Sequence, residues 1–393
     1  MLGANKLRTI YNQGMLTTDP ADRLWMIQTL RADQNLRATL PCRPSDASRL
    51  VRASRHEGVL ALIHARWAAD PTTAPADASL LSVFAACARE QAARSLLMQA
   101  EASRVLAVFH GAGLRVLVLK GMALAQWLYP ATYLRPSGDL DLLLKSRSDA
   151  ELARDLLADA GYPDHYVSGR HGYEVTCRPG PDASRHLEVD LHWRIQNVPL
   201  FANTLDFETL WAASVPLAGL HPEARGSGPV HAMTHAAMNR VVNIYNGLGD
   251  RLHWLYDIHL LSRKFEQRDW QGLTRLAIDL QLCGVVQSAL EAAIRDLNST
   301  VPEFVLGQLQ CHAENESLNA TRMGDWKYMQ FRNLMALPWH QRASWVFERL
   351  LPDMSYLRHF DKTNDSTTIG LIGKQAARLA RRVLPRPSAR RPR

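Results

Sequence analysis

The chain has 393 residues, enough for two or three structural units at ~150 residues each. With 47% hydrophobic and 21% charged residues it is composed like an ordinary globular protein, which excludes a disordered or collagen-like chain. The net charge of +8 is local: eight of the 46 basic residues lie in 374–393, which has no acid, leaving 38 basic and 38 acidic residues in the body.

That basic segment is rich in Pro and Arg. It reads as a solvated tail, disordered beyond Leu384, rather than as a nucleic-acid arm. No apolar run reaches the ~18 residues of a membrane span. The opening MLGANKLRTIYNQG lacks the apolar centre of a secretory signal. Cysteines at 42, 87, 177, 283 and 311 show no CxxC spacing and are odd in number. This argues against a disulfide framework or structural zinc and for a reducing cytoplasm.

Residues 1–110 read as a helical region. Asp19-Pro20 is a helix start, with Leu24, Ile27, Leu30 and Leu36 near helical spacing. A second helix is expected from about Ser48 to Trp67, then a loop over 68–79. A long helix follows, with Leu80, Phe84, Leu96, Leu97, Val105 and Val108 on its apolar side, ended at His110–Gly113. Residues 111–228 change pattern to αβαβαββ. Leu114–Leu119 is a buried strand and Gly121–Leu128 a short helix; Arg135–Gly138 is a loop and Asp139–Leu144 the next strand. Asp149–Ala160 is an amphipathic helix, and Tyr173–Cys177 and His186–Trp193 alternate as half-buried strands. Residues 229–373 return to helix, over 230–242, 251–265, 270–282 and 285–297. Asp269-Trp270 looks like a helix start. The fold class is α+β: a small mixed sheet between helical flanks, with 374–393 as the tail.

The chemistry concentrates in the middle. Residues i and i+2 of a strand share a face, so Asp139 and Asp141 project together. On the later strand Glu188, Asp190 and His192 share one face. Neighbouring carboxylates repel unless a cation or proton lies between them. A third carboxylate, Asp190, would complete a hard oxygen site suited to Mg²⁺. Neutralising Asp141 should on this reading relieve repulsion. An isolated DxD is weak; the order strand, Lys120-Gly121, helix, Arg-Pro-Ser-Gly loop, DxD and third carboxylate is not.

LVLKGMALAQWLYPATYLRPSGDLDLLL, then DAELARDLLADAGY and LEVDLHW, resemble the uncharacterised bacterial nucleotidyltransferases of the polymerase-β-like superfamily. HAMTHAAMN and RLHWLYDIHLLSRKFEQRDWQGLTRLA resemble their helical C-terminal part. The resemblance covers roughly residues 100 to 300. It implies a nucleotidyltransferase core over 111–228, Mg²⁺ as cofactor, two ions in all, and a nucleoside triphosphate as substrate. Asp139, Asp141 and Asp190 would be the metal ligands and catalytic residues, and Gly121 the glycine that phosphate approaches. Met122 departs from the Ser or Gly usual there, and Lys120 replaces that contact as a point charge. The acceptor is not named: a small molecule, peptide or protein is expected, with nucleic acid not favoured. A binding protein that keeps the fold without turnover is the alternative.

Other candidates carry two readings each. Arg135 either pairs with a triphosphate oxygen or buttresses Asp139 or Asp141. His192 reads as a core histidine ahead of an outer partner of the ligands. His231 and His235 stand at i, i+4, a zinc spacing, but position 232 is Ala, and buried histidines are the plainer reading. Trp254, Trp270, Trp326, Trp339 and Trp345 read as core.

Overall fold

Helix-breaking residues shape the N-terminal third of the molecule, seen here in a computed structural model that describes residues 18–31, 47–167, 169, 171–180, 187–351, 370 and 373. Asp19 caps α1 (Pro20–Leu30) through the Ala21 N–H, as Asp-Pro predicts. The helix expected over 48–67 is two helices, α2 (Ala47–His56) and α3 (Leu60–Ala69). Gly58 separates them at φ +71°, and a Cβ there would lie 2.6 Å from His253 Nδ1. Leu36 and the 374–393 tail lie outside the described residues.

Helix α4 (Ala78–Gly111) serves two cores. Leu80, Phe84 and Ala88 join the helical core, whereas Met98, Ala102, Val105, Leu106 and Phe109 pack under the sheet. Leu96 and Leu97, expected on the apolar side, are 66% and 72% exposed, because they fall on the stretch between those two seams.

The middle of the chain builds the sheet: β1 (Val116–Val118), α5 (Lys120–Trp127), β2 (Asp139–Leu144), α6 (Arg147–Asp159), β3 (Asp164–Val167), β4 (Glu174–Arg178) and β5 (Glu188–His192). Short helices α7 (Pro199–Ala202) and α8 (Phe207–Ala212) and short strands β6 (Val215–Pro216) and β7 (Arg225–Gly226) complete it. The order is β3-β4-β5-β2-β1-β7-β6 in seven strands. Pairs β2–β5 and β1–β7 are parallel and the others antiparallel, so the sheet is mixed. One face buries Leu140, Leu142, Leu144, Val189 and Leu191 against α4 and α6. Each such leucine contributes about 1.5–3 kcal/mol by leaving water. That burial fixes the phase of β2 and turns Asp139 and Asp141 to the other face.

Seven further helices were not all foreseen, but the first four of the C-terminal region were: α9 (Pro229–Tyr245), α10 (Leu252–Lys264), α11 (Gln267–Asp279) and α12 (Cys283–Leu297). α11 starts in a capping box of Glu266 and Asp269. Beyond them lie α13 (Glu303–Ala313), α14 (Trp326–Ala336) and α15 (Trp339–Leu350). Trp270 and Trp345 are buried, but Trp339, expected in the core, is 81% exposed at the start of α15. The N-terminal and C-terminal helices share one core, which also takes in Leu117, Leu119 and Leu143 from the carboxylate-bearing face of the sheet. No helix among the described residues is long and apolar enough to cross a membrane.

Candidate active site

Strand register brings the first two carboxylates together. In the parallel β2–β5 pair, Asp141 stands beside Asp190 and Asp139 beside Glu188. In the antiparallel β4–β5 pair, Thr176 faces Asp190 and Glu174 faces His192. Asp141, Asp190 and His192 each offer a ligand atom, and these atoms lie within 4.8 Å of one another. This is the one such cluster among the described residues. Asp139, on the same face, lies outside that set, although its charge bears on both Asp141 and Asp190.

The local bonds fix these side chains. Thr176 donates its hydroxyl to Asp190 Oδ1 at 2.5 Å. His192 is buried, with Nε2 3.0 Å from Asp141 Oδ1 and Nδ1 3.4 Å from Glu174 Oε2. Lys120 Nζ donates to the same Asp141 Oδ1 at 2.6 Å. One oxygen of Asp141 therefore gathers both an ammonium and an imidazole.

The electrostatics are uneven. Burial, then the charges of Glu174, Asp139 and Asp141, push the Asp190 carboxyl well above the usual range, against only the Thr176 bond. Burial and the neighbouring Asp141 push Asp139 up to about 6. For Asp141 burial also works upward, but the Lys120 charge and the His192 contact outweigh it and hold this carboxyl below its ordinary value. Burial would weaken the Lys120 ammonium, yet Asp141, with Asp139 and Glu174 behind it, holds its proton above the ordinary lysine range. Among the described residues, Lys120 is the ammonium bonded to Asp141, with Asp139 and Asp190 close by. That donor set fits a hard divalent cation, with His192 as the softer contributor.

The turn into α5 carries a second peculiarity. Leu119 N–H still bonds Asp141 O at 2.9 Å, continuing the pairing of β1 with β2. The chain then reverses at Lys120, whose φ is +51°. The other non-glycine residues with positive φ among those described, Gln281 and Asn298, follow helix C-termini, where that conformation is common. At a helix start it costs about 1–3 kcal/mol. Gly121 is needed for close approach: a Cβ would lie 3.0 Å from Arg135 Nη1 and 3.2 Å from its Cζ. Met122 is a buried core side chain packed with the sheet.

Arg135 meets Asp257 of α10. Its Nε lies 2.8 Å from Oδ1 and its Nη2 2.8 Å from Oδ2, while Nη1 donates to Pro136 O at 2.7 Å. Tyr129 donates its hydroxyl to the same Asp257 at 2.7 Å. Neither Asp139 nor Asp141 is a hydrogen-bond partner of Arg135. The guanidinium clamps α10 to the Gly121 turn.

A narrow cavity lies beside this clamp, lined by Lys120, Ser227, His235, Asn239, Trp254 and Asp257 among others. Its volume of about 30 Å³ holds a water or two, not a nucleobase. Ser227 Oγ and His235 Nε2 line it, are buried, and have no hydrogen-bond partner. Burial, then the Lys120 charge, push His235 down to about 3, so it is neutral. His235 is a buried histidine, the reading favoured by the Ala at 232 over the zinc spacing with His231, and the pair joins no metal cluster among the described residues. Asp257 carried an unused signal: a carboxylate inside the apolar run LHWLYDIHLL requires a buried partner. Glu174 and Thr176 were likewise readable in phase on β4.

Residues 43–297 match the family described as "Uncharacterised nucleotidyltransferase". The match covers well over half of the chain, which belongs to this family. No curated protein and no solved structure matches it. Family membership and the buried Asp-Asp-His cluster fit a metal-dependent nucleotidyltransferase.

Proposed function

We propose that this chain is a Mg²⁺-dependent nucleotidyltransferase that moves an NMP group from a nucleoside triphosphate to a hydroxyl or phosphate acceptor and releases pyrophosphate. The observation that carries this reading is the in-register pairing of Asp141 with Asp190 beside the Lys120-Gly121 start of α5. Asp139, Asp141 and Asp190 would hold two Mg²⁺ ions. Bound there, the ions supply charge neutralisation at the reacting phosphate oxygens.

The chain's own groups do the rest. The first turn of α5 offers unpaired backbone N–H groups to anions, so the phosphates lie against Gly121. Lys120 adds a charge on that side. Arg135 acts with Asp257 to hold α10 against the turn, which keeps the phosphate side in shape. Thr176 and His192 orient the carboxylates through Asp190 and Asp141. Asp190, beside the ion that would activate the acceptor, would serve as the base for the acceptor hydroxyl. The acceptor is a small molecule, peptide or protein, and the reaction belongs in the cytoplasm.

Pyrophosphate release over a panel of triphosphates and acceptors tests the proposal. Release that requires Mg²⁺ and disappears in Asp190→Asn supports it. No release, together with no binding of Mg²⁺-triphosphate, sinks it. A second reading, a nucleotide- or partner-binding protein without turnover, draws on Met122, which offers no hydroxyl to phosphate. Tight triphosphate binding without pyrophosphate release would favour that reading.

A further inference from the structure

We infer that Lys120 is a built-in counter-ion that occupies the carboxylate site in place of a divalent cation, and that cation binding moves its ammonium into the cavity lined by His235 and Ser227. This rests on the reading above that Asp141 and Asp190 form a cation site.

Three independent observations meet at this residue. First, Nζ sits 2.6 Å from Asp141 Oδ1, the oxygen also contacted by His192. Asp141 belongs to the cluster able to hold a metal. An ammonium and a divalent cation repel one another at a shared carboxylate, so each weakens the hold of the other. Asp139 shares the face of β2 with Asp141, and Asp190 stands in register beside Asp141, so the ammonium meets more carboxylate than its one charge offsets. The lysine is therefore a partial substitute for a stronger cation.

Second, the displaced ammonium has somewhere to go. A buried ammonium without partners costs several kcal/mol, so a lysine with no second seat would oppose metal strongly. Lys120 lines the same cavity as Ser227 Oγ and His235 Nε2, two buried atoms without partners. The cavity is water-sized, and an ammonium is too. His235 is neutral, so its free nitrogen accepts a hydrogen bond rather than repelling the charge. Third, the backbone at Lys120 holds φ +51° at a helix start, a strained hinge at the base of the side chain that must swing.

Titration calorimetry with Mn²⁺ alone, without nucleotide, on the full chain tests this. Lys120→Met should bind Mn²⁺ at least about 10-fold tighter than the wild type, since a competing charge has gone. Lys120→Arg keeps a cation on Asp141 and should not gain. His235→Leu should weaken Mn²⁺ binding in the wild type but not in the Lys120→Met background. Thermal melts of each variant show that the fold persists. Equal or weaker binding by a folded Lys120→Met, while the wild type binds, overturns the counter-ion role alone. Equal loss from His235→Leu in both backgrounds overturns the second seat. No Mn²⁺ binding by any variant overturns this inference and the cation site beneath it together.

Discussion

Two cation–aspartate pairs lie beside Gly121, and they are built to opposite standards. Arg135 and Asp257 form a closed unit: a two-pronged ion pair, completed by Tyr129 on the carboxylate and Pro136 O on the guanidinium. Lys120 and Asp141 form an open one. Their pair is flanked by Asp139 and Asp190, whose carboxyls are pushed upward, and by Ser227 and His235, which lack partners. Arg135, Asp257 and Asp141 are buried, whereas the Lys120 side chain is 25% exposed, so the open pair is only partly desolvated. What also differs is whether the surrounding polar groups are used up. A satisfied pair holds elements together, whereas an unsatisfied one marks where a ligand is missing its place.

The comparison breaks most visibly if the closed pair is cut. Asp257→Ala should destabilise the protein by about 3–5 kcal/mol, because it strands the buried Arg135 charge. Chemical denaturation would register this as a large drop in midpoint. A loss no greater than that of an exposed Asp→Ala would mean that the clamp is ornamental.

The carboxylates that flank the open pair should respond to pH in the reverse sense from ordinary acid denaturation. Asp139 rises from 3.8 to about 6 in the fold, so its stabilising contribution is full below 3.8 and is lost as pH climbs through about 6. Asp190 shifts the same way. Asp141 shifts downward, and its contribution is lost only below its unfolded value of 3.8. Between about pH 7 and about pH 4.5 the metal-free protein should therefore gain up to about 2–3 kcal/mol from Asp139. Added Mg²⁺ should flatten that rise, since it competes with the protons. Thermal melts with chelator and with Mg²⁺ would give both curves.

Substitution should then separate the carboxylates. The sequence pattern suggested that neutralising Asp141 would relieve repulsion. The structure shifts that expectation to its neighbours, because Asp141→Asn would also deprive Lys120 of its partner. Asp190→Asn should raise the metal-free melting point, worth about 1–2 kcal/mol, and abolish stabilisation by Mg²⁺. A fall in melting point would make Asp190 a structural residue.

The smallest expected effect joins the two pairs. Gly121→Ala puts a Cβ 3.0 Å from Arg135 Nη1, and a shift of a few tenths of an ångström would relieve it at a cost of about 1 kcal/mol. The same shift should disturb the phosphate side, so triphosphate affinity should fall more than stability. Unchanged affinity would detach Gly121 from the site.

Much of this was legible because strand phase is local. Alternation put Asp139 with Asp141 on one face of β2 and Asp190 with His192 on one face of β5, while their convergence on one side of the sheet came from the family resemblance and is seen in the strand register. The pairing of Asp141 rather than Asp139 with Asp190 was not legible, since register depends on how two distant strands align. Arg135 had a visible charge but an invisible partner, 122 residues away on α10. The break at Gly58 was hidden for the same reason: His253, against which that turn packs, belongs to the far end of the chain. Leu96 and Leu97 misled because helical spacing does not say where one core stops and the next begins.

The proposed function depends on Asp141 and Asp190 together forming a cation-dependent nucleotide site. The direct test is calorimetric titration of a non-hydrolysable nucleoside triphosphate into the wild type, Asp141→Asn and Asp190→Asn, each with Mg²⁺ and with chelator. The wild type should bind only with Mg²⁺, and binding should fall at least about 10-fold in either variant. Binding of equal strength in all three proteins, or binding indifferent to Mg²⁺, would contradict it.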